Sequence, residues 1–202
     1  MCLLPGAFLC NKKVDVVVAI DRSMPNRSDW NYALQYLANI SGRFEVGTDK
    51  VHVGVVTFSA HADVEFYLNN YTDQSSLAGA IGRINYQTGR GDFSFANAFN
   101  RVRNEVFMPA NGARTDACKV LVMVAFCDGS QRDSWMTLSA ALAAKVAGVK
   151  TITVGSASMC RRHQLLQMAY TSTKSTVFWF ASPGGMWNTT DAVATGTCVM
   201  CM

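Results

Sequence analysis

Val14-Asp15-Val16-Val17-Val18-Ala19-Ile20-Asp21 is the stretch that most constrains this chain, because a nearly unbroken β-branched run stops abruptly at an acid. A run apolar on both alternations reads as a strand covered on both faces, the pattern of a central strand in a parallel sheet. The polar residues that follow, Asp21, Arg22, Ser23 and then Pro25, fall at its carboxyl end, where open α/β sheets place their ligand crevices. Asp21 and Ser23 are oxygen donors two residues apart, a spacing that suits a hard divalent cation. A second stretch has the same grammar: Lys119-Val120-Leu121-Val122-Met123-Val124-Ala125-Phe126 runs into Cys127-Asp128-Gly129. Two central strands, each ending at an aspartate, bring both carboxylates to one rim.

Between these runs the periodicity alternates between strand and helix. Trp30, Ala33, Leu34, Leu37 and Ile40 form a helical stripe that Ser28-Asp29 can cap and Ser41-Gly42 can end. Val51 to Phe58 reads as a strand, and Val64 to Leu68 as another. The link between them is too short for a crossover helix and predicts an antiparallel hairpin. Helices follow over about 74–84 and 94–106, separated by a polar loop at 85–92. Further helices are expected over 133–147, ended by Gly148, and over 161–170, with strands at 150–154 and 177–180. The fold class is α/β: a doubly wound, mostly parallel sheet with one antiparallel edge strand and helices on both faces.

Asp21-x-Ser23 after one strand and Asp128-Gly129 after another, within this alternation, resemble a von Willebrand factor type A domain. The resemblance runs from about Val14 to about Phe180. It divides the chain into a cysteine-containing tail at 1–13, the domain at 14–190 and a second cysteine-containing tail at 191–202. It implies a metal-ion-dependent adhesion site built from an Asp-x-Ser-x-Ser loop, a threonine from a second loop and an aspartate from a third. Asp21, Ser23 and Asp128 match. Pro25 stands where the second serine belongs, and Phe93 where the threonine belongs. Asp92 is a substitute oxygen beside the gap, so the implied metal set is Asp21, Ser23, Asp128 and Asp92, holding magnesium or manganese. The competing reading makes Asp21 and Asp128 strand-end acceptors that satisfy loop amides without metal.

Arg90-Gly91-Asp92 spells the tripeptide that many integrins recognise, and the loop lies on the expected ligand face; chance occurrence of so short a motif is the other reading. Phe93, next to it, reads first as a packing residue together with Phe95, and at the crevice offers an apolar contact to a ligand. Gly89-x-Gly91-x-x-Ser94 lacks the third glycine and the preceding strand of a dinucleotide loop, and no nucleophile elbow is visible.

Composition closes off several classes. Half the residues are hydrophobic and 16% are charged, which describes a folded body. The net charge of +4 is carried by scattered basic residues, so no nucleic-acid groove is expected. The apolar runs are of strand length, so no membrane insertion is expected. Met1 to Cys10 is apolar but lacks the basic start and the length of a secretory signal. Seven cysteines, and glycosylation sequons at Asn26, Asn39, Asn70 and Asn188, point to secretion. Termini of a doubly wound domain can lie close, which favours a disulfide between the Cys2/Cys10 end and the Cys198/Cys201 end. The odd count leaves one thiol over.

The expected function is extracellular binding and not catalysis. The resemblance implies a matrix protein such as collagen, or an integrin-type receptor, contacted by the loops after Ile20, Tyr86 and Phe126. Two rivals stand beside it: a metal-independent structural matrix module joined to its assembly by cysteines, and a hydrolase on the same scaffold.

Overall fold

The structure, a computed structural model, describes residues 10–24, 26–86, 92–131, 134–171, 173 and 175–202. The apolar runs form strands β1 (Val14–Asp21), β2 (Val51–Phe58), β4 (Cys118–Ala125) and β5 (Val149–Ser156). Shorter strands β3 (Ala62–Phe66) and β6 (Val177–Phe180) close the two edges. They form one six-stranded sheet in the order β3-β2-β1-β4-β5-β6, with only β3 antiparallel.

Strand β1 is central because the chain winds outward from it in both directions. It pairs in parallel with β2 on one side and β4 on the other, with Val18 opposite both Val55 and Val122. The carboxyl ends of β1 and β4 therefore adjoin at the point where the winding direction changes, the place where such sheets open a crevice.

The run at β1 is apolar on both alternations because each face has its own core. Val16, Val18 and Ile20 join Val120, Val122 and Val124 beneath helices α1 (Arg27–Ser41), α2 (Gln74–Ile81) and α6 (Thr190–Val199). Val17 and Ala19 join Leu121, Met123 and Ala125 beneath α3 (Phe95–Arg101), α4 (Ser134–Val146) and α5 (Arg162–Met168). Helix α3 continues into a wide turn, Val102–Val106, in which the Phe107 amide reaches back to Val102 O. Gly148, at φ 82°, takes the left-handed conformation that ends α4. Among the described residues no helix is long and apolar enough to cross a membrane.

Two expectations need correction. The cap of α1 is Asn26, not Ser28-Asp29: its Oδ1 accepts from the Asp29 amide at 2.9 Å, while its Nδ2 donates to Asp29 Oδ2. The hairpin strand is Ala62–Phe66, starting where Ala62 and Asp63 pair with Phe58 and Thr57, and it ends before Leu68 because the chain turns at Tyr67, whose amide donates to Asn70 Oδ1 at 2.7 Å. The segment from Asp191, read from the sequence as a tail that begins as a helix, forms most of α6. Its Val193, Ala194 and Cys198 share one helical face and are buried. Asn26→Ala should remove the α1 cap at a cost of about 1 kcal/mol. For a chain of this length that is a fall in melting temperature of about 2–4 °C, readable by thermal circular dichroism.

Disulfides Cys10–Cys198 and Cys118–Cys201 fasten α6 to the start of the chain and to the start of β4, and Cys127–Cys160 links the loops after β4 and β5. The end-to-end bridge expected from the sequence is thus Cys10–Cys198; Cys2 lies outside the described residues. At the opposite end of the sheet from the aspartate rim, Asp15 is fully buried on β1. It accepts from the Arg114 amide at 2.7 Å and from Arg114 Nε at 2.8 Å. The same guanidinium donates to the carbonyls of Thr48, Lys50 and Val14, tying the loop before β4 to the amino ends of β1 and β2.

Candidate functional site

The crest is built outward from Asp21, the last residue of β1. Its side chain is inaccessible to solvent and turns toward the loop leaving β4. Oδ1 accepts from the Ser23 amide at 2.8 Å, and Oδ2 accepts from the amides of Phe126 at 3.0 Å and Cys127 at 2.8 Å. Burial raises the Asp21 pKa above the ordinary carboxylate value, and these amides and the nearby Ser23 hydroxyl pull it part of the way back.

Cys127 makes this convergence possible by adopting φ 58°, a left-handed conformation unusual for a side-chain-bearing residue. Its disulfide to Cys160 holds the bend against the loop after β5. Asp128, next in the loop, is half-buried, and Gly129 (φ 140°) and Ser130 are exposed. On the β2 side, the Arg22 amide donates to Phe58 O at 2.7 Å. The Arg22 side chain, 7% exposed, forms an ion pair with Asp63 on β3.

The loop preceding α3 joins the same surface. Phe93 N donates to Ser130 O at 3.1 Å, and Phe93 bridges to Gln131 as an isolated β pair. The ring is 4% exposed and stands edge-on to Phe95, with centroids 5.3 Å apart. Phe93 therefore packs beneath the crest, with little of its ring open to solvent. Asp92 is half-buried and engaged by other groups. Ser94 caps α3, its Oγ accepting from the Asn97 amide at 3.0 Å. Arg90 and Gly91 of the tripeptide, and Pro25, lie outside the described residues.

The structure thus gathers Asp21, Ser23, Asp128 and the Asp92-Phe93 segment around adjoining strand ends. Their suitability for a cation is a separate matter. Among the described residues the Ser23 hydroxyl is buried and makes no hydrogen bond of good geometry, which leaves its oxygen available to a cation. Against it, Asp21 already spends both oxygens on three amides, and Phe93 puts a ring where an oxygen is needed. Among the described residues no three His, Cys, Asp or Glu side chains converge on one point. Magnesium prefers an octahedron of oxygens and commonly keeps several waters, so a cation here would rest on Ser23, Asp128 and water.

Two features of the site were not read from the sequence. The Cys127–Cys160 bridge needs β5 to lie beside β4, and the Arg22–Asp63 pair needs β1 to lie beside the β2–β3 hairpin; neither adjacency is written in its own segment. The Asn of each sequon was legible: Asn26, Asn39, Asn70 and Asn188 are all exposed.

Comparison with known proteins agrees with this architecture. The sequence profile of the von Willebrand factor type A domain matches residues 15–191. Human collagen alpha-1(XX) chain is 32% identical over 143 residues, covering 70% of this chain and 11% of the collagen. Integrin alpha-1 of Gallus gallus is 28% identical over 131 residues, covering 65% of this chain and 45% of the integrin. The chain thus spans less than half the length of these relatives. Among solved structures, proximal thread matrix protein 1 from the mussel byssus, with zinc occupying its MIDAS motif, superposes with a TM-score of 0.85 at 20% identity. That match covers 94% of this chain and 49% of the other. Manganese-loaded TRAP protein of Plasmodium vivax gives a TM-score of 0.76 at 16% identity, covering 94% and 74%. With the family profile spanning nearly the whole sheet and its helices, the chain belongs to the von Willebrand factor type A domain family.

Proposed function

We propose that this domain is a secreted, extracellular adhesion module. It binds a matrix protein such as collagen through the loops that leave the carboxyl ends of β1 and β4 and the loop that enters α3. The observation that carries the reading is the locking of these loops into one surface. Asp21 of the first loop receives the amides of Phe126 and Cys127, and Phe93 of the second donates to Ser130. A crest held in this way loses little conformational freedom on binding, which favours recognition of a protein surface. The collagen and integrin relatives support the same reading. An integrin-type receptor engaging Arg90-Gly91-Asp92 is the other partner class. Glycans at the exposed Asn26, Asn39, Asn70 and Asn188 fit secretion, as do the three disulfides.

The work of the domain is binding and not catalysis. Asp21 is committed to amides and sealed from solvent, so it is in no position to exchange protons with a substrate. Binding does not depend on a cation in this reading, because the ligand set is incomplete. The buried, unpartnered Ser23 hydroxyl favours a second reading, in which Ser23, Asp128 and Asp92 hold manganese or magnesium with water completing the shell.

The test is adhesion to immobilised fibrillar collagen, with and without EDTA, together with thermal melts in EDTA, magnesium and manganese. The expected result is binding that survives EDTA and falls about tenfold or more in Asp128→Arg, the loss associated with a misplaced interface charge. Asp49→Arg, the same charge change at the other end of the sheet, should bind as wild type. Melts should coincide in all three buffers. Equal binding by Asp128→Arg and wild type would remove the crest from the function. A melting temperature raised by manganese, and not in Asp128→Ala, would establish the second reading through linkage.

A further inference from the structure

Beside the crest, between the loop after β4 and the segment leading into α5, lies a cavity of about 380 Å³. Its apolar walls are Phe93 and Met159, together with the Cys127 end of the disulfide. Its polar lining is Ser130, Gln131, Gln164 and Arg161. Among the described residues no aspartate or glutamate lines it.

Like Arg27, Arg83 and Arg103, Arg161 has no carboxylate within ion-pair distance among the described residues; what sets it apart is its place at the mouth of this cavity. Arg22, Arg43, Arg101 and Arg114 each have a carboxylate partner. Arg162 lies over the Trp179 ring at 5.5 Å. Arg161 has neither an acid nor a ring among the described residues, and it is exposed at the cavity mouth. Its backbone is fixed, because Cys160 immediately before it is bridged to Cys127 and its carbonyl accepts from the Gln164 amide at 3.0 Å. The amide of Gln131 is oriented by donating to Thr137 Oγ1 at 3.1 Å, and Gln164 is 6% exposed. A planar cation held at one place, amide groups at hand and apolar walls behind them fit one kind of guest. That guest is a carboxylate on a short methylene stem, which guanidinium recognises with two parallel hydrogen bonds. A sulfated or phosphorylated polymer would want several cations in a row, and here the neighbouring Arg162 is engaged elsewhere.

We infer that this cavity is a subsite for a glutamate or aspartate side chain of the partner protein, with Arg161 as its specificity-determining cation. The inference deepens the adhesion reading by naming the chemistry the partner must present at this edge of the crest.

The experiment uses a minimal probe, acetyl-Gly-Glu-Gly-amide, titrated into ¹⁵N-labelled protein and followed by the amide resonances of Gly129, Ser130, Gln131 and Gln164. The expected result is saturable shifts confined to those residues. They should weaken about tenfold, the scale of a lost charge-assisted contact, with the Gln peptide or in Arg161→Gln, and stay unchanged in Arg162→Gln. Shifts of equal strength with the Gln peptide, or retained in Arg161→Gln, would overturn the assignment, as would no saturable shift at all. Tighter saturation by inorganic sulfate than by the Glu peptide would also overturn it, by making the cavity a general oxyanion site. The readout is independent of collagen. Failed adhesion with a normal titration refutes the ligand class and leaves the subsite standing; normal adhesion with no titration does the reverse.

Discussion

Asp15→Ala should destabilise the domain by about 3–5 kcal/mol, the usual result of removing one partner from a buried ion pair. Asp15 is wholly buried, and the Arg114 side chain is 14% exposed. Without the carboxylate the guanidinium keeps its carbonyl partners at Thr48, Lys50 and Val14 but has no countercharge at the base of the sheet. The Arg114 amide loses its acceptor in the same substitution. At about 2–4 °C per kcal/mol for a chain of this length, the melting temperature should fall by roughly 10 °C. Urea unfolding would show a lower midpoint at a similar slope, because the surface exposed on unfolding is little changed. Arg114→Lys should recover only part of the loss, since an ammonium cannot reach Asp15 and the carbonyls of two strands at once. The Lys13–Asp116 pair is the contrast: both partners are substantially solvated, and Asp116→Ala should hardly move the midpoint. An Asp15→Ala midpoint equal to that of Asp116→Ala would show that the buried pair stabilises nothing.

Opening the Cys10–Cys198 bridge by the double change Cys10→Ser, Cys198→Ser should cost at least as much, about 4–5 kcal/mol. The two residues are 188 positions apart, but the effective loop is shorter, because Cys118–Cys201 already ties α6 to β4. With that second bridge intact, the segment released runs from Cys10 to Cys118, and closure of a loop of roughly 110 residues carries that entropy. The urea slope should rise, since the unfolded chain is then less compact, which separates this effect from the loss of a contact in the folded state. A variant with wild-type midpoint and slope would mean that docking of α6 through Val193 and Ala194 suffices without the bridge.

Those two sites also mark the limits of what the chain spells out. The strands, their burial on both faces and the meeting of Asp21 with the 126–128 loop were legible, because a β-branched run that stops at an acid carries its own address. Cys10 pairing toward the C-terminus was legible from the proximity of termini in this architecture. Asp15 was not. Its partner Arg114 is 99 positions away in a polar loop, and a lone acid in a valine run gives no sign of which cation will reach it. Arg161 was missed for the same reason, since its cavity exists only once β5 lies against β4. The cap of α1 was misplaced by two residues because Asn26, Ser28 and Asp29 are all competent caps, and only Asn26 has the amide of Asp29 three residues ahead of it in helical geometry. Phe93 was legible as a packing residue beside Phe95, while its pairing with Gln131 was not, because that loop lies far away in sequence.

The Cys10–Cys198 bridge has a mechanical meaning as well. The Cα atoms of its two residues are 5.8 Å apart, so tension applied between them runs through a covalent link and bypasses the sheet altogether. The 188 positions between them would otherwise pay out several hundred ångströms of extended chain. A domain wired in this way can be pulled at those two points without unravelling or stretching, and the crest on the far ends of its strands keeps its shape while the strain passes behind it.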